Sequence, residues 1–89
     1  MYVVDINKKV YKFLISLDNS QEIISKLKTL KHFKSSKSLN LDIKRFRGTK
    51  KNQEVYRLRI GEIRFIFEVF KEKNIIWIKA ADYRGKVYN

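Results

Sequence analysis

Residues 54–70, EVYRLRIGEIRFIFEVF, constrain this chain more than any other stretch. Taken two at a time, Tyr56, Leu58 and Ile60 fall on one side, and Arg57 and Arg59 on the other. After Gly61 and Glu62 the alternation resumes: Ile63, Phe65, Phe67 and Val69 are apolar, and Arg64 stands on the second side. Period-two alternation on both sides of a short break predicts a β-hairpin, and glycine at the first loop position suits a type II′ turn. A two-residue loop fixes the register, with Ile60 opposite Ile63, Leu58 opposite Phe65 and Arg59 opposite Arg64. Paired residues share a face, so the hairpin has an apolar side and a side carrying Arg57, Arg59 and Arg64. Like charges directly opposite each other cost roughly 0.2–1 kcal/mol. A face that gathers three guanidinium groups despite this cost predicts an anionic ligand, and the planar fork of arginine favours phosphate.

The whole-chain charge points the same way. A net charge of +12 over 89 residues favours a polyanionic partner, either nucleic acid or an acidic protein that mimics or masks it. A solubilising lysine surface would account for charge alone, but it would not line up arginines on one face. There is no cysteine, which excludes disulfides, thiolate zinc sites and thiol nucleophiles. His32 is the single histidine, which excludes a multi-histidine metal site, and no metal or cofactor is expected. No apolar run approaches the ~20 residues of a membrane span, and the N-terminus lacks a signal-peptide pattern. The expected compartment is the cytoplasm. A chain this short cannot support two cores, so residues 1–89 are read as one domain.

Ahead of the hairpin, YVVDI (2–6) predicts a short strand. Val10, Phe13, Leu14 and Leu17 then follow the i, i+3, i+4, i+7 spacing of an amphipathic helix. Asp18-Asn19-Ser20 interrupts it, with Glu22 placed to complete a capping box on Asn19. A second helix buries Ile23, Ile24, Leu27 and Leu30, and the short connection makes the two an antiparallel pair. KSSKSLN (34–40) reads as a surface loop, LDIKRFRG (41–48) as a short strand ending at Gly48, and TKKN (49–52) as an exposed basic loop. After the hairpin, KEKN (71–74) predicts a second turn, and IIWIKAA (75–81) a further strand. In that strand Ile76, Ile78 and Ala80 continue the core face, while Ile75, Trp77 and Lys79 join the arginines. The tail DYRGKVYN (82–89) adds Tyr83, Arg84, Lys86 and Tyr88. The expected fold is α+β, in the order β-α-α-β-β-β-β: an antiparallel sheet packed by its apolar face on an N-terminal α-helical hairpin. Its other face is left basic and studded with Ile66, Phe70 and Trp77.

The hairpin VYRLRIGEIRFIFEV, followed at a short distance by DYRGKVY and preceded by two helices and LDIKRFRG, resembles the RelE/ParE superfamily of bacterial and archaeal toxin–antitoxin systems, closest to its RelE-like toxins. The resemblance covers most of the chain. It implies a ribosome-dependent endoribonuclease that cuts messenger RNA in the decoding site and is neutralised by a small acidic RelB-like antitoxin. It places Arg57 and Arg59 at the paired basic positions before the turn, Arg64 at the arginine after it, and Arg84 and Tyr88 at the basic and aromatic positions of the C-terminal segment. Many relatives carry a histidine in that segment, and this chain has none; some carry lysine where Arg57 and Arg59 stand.

Metal-free RNA cleavage uses the substrate's own 2′-hydroxyl and needs a proton acceptor, a proton donor and positive charge at phosphorus. Arginine stays charged and carries protons poorly. Arg59, Arg64 and Arg84 are therefore read as stabilisers of the scissile phosphate, and Tyr88 and Lys86 as the local acid or base. Arg57, Lys79, Lys86, Lys50 and Lys51 are read as backbone contacts. Glu62 and Glu68 do not form a carboxylate pair, since Glu62 belongs to the turn. His32 reads as a surface residue near a helix end. Two alternatives stay open at this stage: a gyrase poison of the ParE type, sharing the fold without needing the phosphate cluster, and a plain RNA-binding module.

Overall fold

The apolar spacing of residues 10–17 winds the chain into a helix, and the alternation of 54–70 extends it into strands. A computed structural model describes residues 1–35, 37–46 and 53–83. In chain order it shows β1 (Val3–Ile6), α1 (Lys8–Ile15), α2 (Ser20–Lys28), a 3₁₀ turn (Thr29–His32), β2 (Asp42–Arg45), β3 (Glu54–Ile60), β4 (Ile63–Phe70) and β5 (Ile75–Tyr83). The α+β order expected from the sequence is the order observed.

Local chemistry sets the helix ends. Asn7 caps α1, its Oδ1 accepting from the Lys9 N–H at 2.8 Å. Asn19 makes no such bond at the start of α2, because its φ of −103° and ψ of 30° lie outside the extended region from which an N-cap side chain reaches the first turn. The expected capping box is therefore absent, and Glu22 sits 3.7 Å from Lys26 one turn on. The last turn tightens into the 3₁₀ segment, where Leu30 remains fully buried.

The strands form one five-stranded sheet in the order β1-β5-β4-β3-β2. From β2 to β5 it is antiparallel as expected. At the far edge β1 runs parallel to β5, which makes the sheet mixed. Val3 N donates to Asn74 O and Asn7 N to Ile78 O, each at 2.9 Å, so β1 enters beside the turn that starts β5 and runs with it. The β3–β4 hairpin has the register read from the sequence: Ile60 opposite Ile63, Leu58 opposite Phe65, Arg59 opposite Arg64. Gly61 has φ +59°, while Glu62 is not in the positive-φ region, which among the hairpin turns matches type II′. Helices and sheet enclose a core in which Leu14, Leu27, Leu30, Leu58, Phe65, Phe67, Ile76 and Ile78 are fully buried.

One strand departs from simple alternation. Between β4 and β5 the register shifts at Ile66/Phe67: Phe67 pairs with Ile78, but Ile66 pairs with Ala80. The extra residue, Lys79, is a bulge, and an extra residue reverses which face every later side chain takes. Ala80, expected in the core, stands instead opposite Ile66, and Ala81 packs against the core in its place. Beyond the bulge Asp82 comes opposite Arg64 and Tyr83 opposite Ile63, where the Tyr83 ring meets Phe13 of α1 edge-on at 5.6 Å.

Candidate functional site

The alternation that buries Leu58 and Phe65 turns Arg57, Arg59 and Arg64 to the face away from the helices. Across four adjacent strands the register then builds a single rung: Asp42 beside Arg59, Arg59 beside Arg64, Arg64 beside Asp82. Strands lie ~4.8 Å apart, so the two arginines are bracketed by carboxylate residues along one line. Asp42 makes the contacts on one flank. Its Oδ1 accepts from Arg57 Nη2 at 3.2 Å, and its Oδ2 lies 3.1 Å from Arg59 Nε. Arg57 is the more enclosed of the two, with a side chain 16% exposed against 29% for Arg59. Its Nε–H is buried without an acceptor among the described residues.

These contacts change the electrostatics expected from the sequence. The three arginines do not stand as bare like charges: with Asp42 and Asp82 the cluster carries one net positive charge. The repulsion between Arg59 and Arg64 is reduced by Asp42, which lies 3.1 Å from Arg59. Sequence reasoning missed both acids. Leu41 and Ile43 alternate around Asp42, which was enough to turn it outward, but its partner strand could not be read. Asp82 was hidden by the bulge.

Further along the same face, Ile66, Phe70 and Trp77 are half-buried. Lys79, the bulge residue, places its Nζ 3.2 Å from Glu68 Oε1 and 5.6 Å from the centre of the Trp77 ring. Glu68 is itself only 9% exposed. The charge of Lys79 is thus engaged by a nearly buried carboxylate.

Other titratable groups lie elsewhere. Tyr56 belongs to the core face, stacked on Phe67 at 5.3 Å with its hydroxyl donating to Glu54 Oε1 at 3.0 Å. Burial first, and then the bond to Glu54, push its pKa above the usual value. His32 lines a concavity of about 560 Å³ together with Tyr2, Lys31, Phe33 and Asn74, a group that includes none of the arginines. Lys50, Lys51, Arg84, Lys86 and Tyr88 lie outside the described residues. Among the described residues no three His, Asp or Glu side chains gather as a metal site requires, and no helix is long and apolar enough to cross a membrane. What the described cluster offers is positive charge for an anionic group, from Arg57, Arg59 and Arg64, flanked by the carboxylates of Asp42 and Asp82.

No protein-family model matches the chain, and no curated protein matches it. Solved structures do. A RelE–RelB complex from the archaeon Pyrococcus horikoshii contains a chain 28% identical, with a TM-score of 0.77, covering 96% of this chain and 97% of that one. The RelB–RelE antitoxin–toxin complex of Methanococcus jannaschii matches at 23% identity and TM-score 0.69, over 96% and 95% of the two chains. The isolated Escherichia coli RelE toxin matches at 19% identity and TM-score 0.67, over 99% and 92%, a likeness of fold. Full-length agreement on both sides with the 28%-identical P. horikoshii chain, joined to an arginine hairpin in the expected register, makes this chain RelE-like in fold and similar to the proteins of that toxin–antitoxin complex.

Proposed function

We propose that this chain is the toxin of a type II toxin–antitoxin pair, and that it halts translation by cutting messenger RNA on the ribosome. The observation that carries the reading is the gathering of Arg57, Arg59 and Arg64 on the sheet face of a RelE-like fold. In the reaction the 2′-oxygen of the RNA attacks the adjacent phosphorus. The O2′–P bond forms and the P–O5′ bond breaks, leaving a 2′,3′-cyclic phosphate and a 5′-hydroxyl. The 2′-hydroxyl proton goes to a base, and the departing 5′-oxygen receives one. Arg59, Arg64 and Arg84 stabilise the charge that develops on the phosphoryl oxygens. Tyr88 and Lys86 are the residues assigned to proton transfer. Arg57, Lys50, Lys51 and Lys86 hold the backbone, while Lys79, expected from the sequence to join them, is taken up by Glu68.

Arginines that hold a phosphate do not by themselves bring the 2′-oxygen into line with it, so alignment of the substrate falls to the ribosome. That places the activity in the cytoplasm, where messenger RNA is translated. The partner that silences it is an acidic, RelB-like antitoxin, consistent with the +12 charge of the chain and with the RelE–RelB complexes of P. horikoshii and M. jannaschii.

The test is induction in cells, with primer-extension mapping of messenger RNA and DNA supercoiling measured together. Cuts within translated messages, at unchanged supercoiling, are the expected result. Altered supercoiling with intact messages would replace this reading with gyrase poisoning. In purified form, ribosome-bound message should be cut well and free RNA poorly, and free-RNA affinity should fall steeply with salt. Equal rates with and without ribosomes would refute the ribosome-dependent mechanism.

A further inference from the structure

The two carboxylates that bracket the arginines take no part in the cleavage proposed above, and an acid beside a phosphate site weakens its attraction. Asp42 nevertheless contacts two of the three arginines. Its Oδ2 lies 3.1 Å from Arg59 Nε. Its Oδ1 lies 3.2 Å from Arg57 Nη2. One carboxylate on the neighbouring strand therefore engages two guanidinium groups at once, and a guanidinium with five donors can meet a carboxylate and still offer donors to a second, anionic partner. Asp42 sits on β2, an edge strand, and its side chain is 45% exposed, so its replacement should cost the fold little.

We propose that Asp42 is a positioning residue: it orients Arg57 and Arg59 for the scissile phosphate and gives up affinity for RNA in exchange for that orientation. The proposal rests on the reading of the arginine face as a phosphate site. A fixed donor is worth more at the transition state than a mobile one, because its orientation is settled before the reaction. The carboxylate's negative charge, meanwhile, lowers the ground-state attraction for any polyanion. Affinity and rate are thus set against each other in one side chain.

The experiment compares wild type, Asp42→Asn and Asp42→Glu as full-length protein. It measures hydrogen exchange of the arginine Nε–H signals by NMR, binding of a short single-stranded RNA at fixed salt, and single-turnover cleavage on ribosomes. Asp42→Asn should melt within about 2 °C of wild type, as expected for a half-exposed surface change. Its Arg59 Nε–H should exchange roughly tenfold faster. RNA should bind about three- to tenfold tighter, and cleavage should slow by about ten- to a hundredfold. A purely structural role would lower melting temperature, affinity and rate together. Asp42→Glu keeps the charge and moves it by one methylene, so it should bind RNA as wild type does and still cut more slowly. Unchanged Arg59 exchange in Asp42→Asn, or cleavage at or above the wild-type rate, would overturn the proposal. So would wild-type cutting by Asp42→Glu alongside slow cutting by Asp42→Asn, which would assign the effect to charge alone. If wild-type protein cuts nothing on ribosomes, the ribonuclease reading fails by itself. The exchange rates and RNA affinities of Asp42→Asn then decide the positioning role.

Discussion

Replacing Arg59 by alanine should separate stability from activity. The substitution removes two opposing effects. Repulsion from Arg64, directly opposite, is worth roughly 0.2–1 kcal/mol. The pair with Asp42 at 3.1 Å joins side chains 29% and 45% exposed, and solvent screening holds such a pair to about 0–1 kcal/mol. Asp42 keeps Arg57 at 3.2 Å, so no carboxylate is orphaned. The two effects cancel to within about 0.5 kcal/mol, a shift of about 2–4 °C in Tm for a domain of this size. Loss of one preorganised donor at a transition state costs far more, about 2.7–4 kcal/mol, or two to three orders of magnitude in rate. Thermal unfolding and ribosome-dependent cleavage, measured on the same preparations of wild type and Arg59→Ala, give both numbers. A variant that melts like wild type and no longer cuts is expected. Normal cutting by a folded variant would refute the phosphate-site reasoning, and activity that falls only in step with Tm would reassign Arg59 to the scaffold.

Two further perturbations test the scaffold beneath the site. Tyr56→Phe removes the hydroxyl bonded to Glu54 at 3.0 Å and should cost about 1 kcal/mol at neutral pH. The Tyr56 pKa is raised above 10.0 in the fold, so the unfolded chain loses its phenolic proton first and wild-type stability should fall as pH climbs past about 10. Urea unfolding at several alkaline pH values should show a smaller loss in the variant. Gly61→Ala meets no atom within 4 Å, so its cost comes from the φ of +59° alone. That should amount to about 1–2 kcal/mol, read as a lower Tm with cleavage per folded molecule retained.

The parts that sequence reasoning reached are those set by local rules. Two residues between two alternating runs leave one register, so the pairing of Arg59 with Arg64 follows from the string itself. What it missed depends on contacts distant in the chain. Nothing in IIWIKAADY marks Lys79 as an extra residue; the bulge exists because β5 must match β4 on one side and β1 on the other. One inserted residue moved Ala80 out of the core face and brought Asp82 to Arg64. The parallel pairing of β1 with β5 is equally non-local, since the strands are separated by nearly the whole chain. Asp42 is the instructive case: its outward face was readable from its apolar neighbours, but its companions depend on the β2–β3 register.

Lys79 shows how much depends on such placement. On composition alone it counts as one more positive charge for RNA. In the fold its Nζ lies 3.2 Å from Glu68, whose side chain is 11% exposed against 32% for Lys79. A phosphate would have to compete with a carboxylate that has little water to fall back on. Removing Lys79 leaves that carboxylate without its partner, at a cost of about 1–2 kcal/mol, or roughly 5–15 °C in a domain of this size. Lys79→Gln should therefore lower Tm by that amount and leave the slope of log affinity against log salt for RNA unchanged. A lysine that contacts phosphate would instead reduce the slope by about one and leave Tm alone. Replacing both partners, Lys79→Met with Glu68→Leu, removes the buried charge along with its counter-ion and should recover most of the lost stability. A shallower salt slope in Lys79→Gln, without loss of Tm, would show that Lys79 serves the RNA after all.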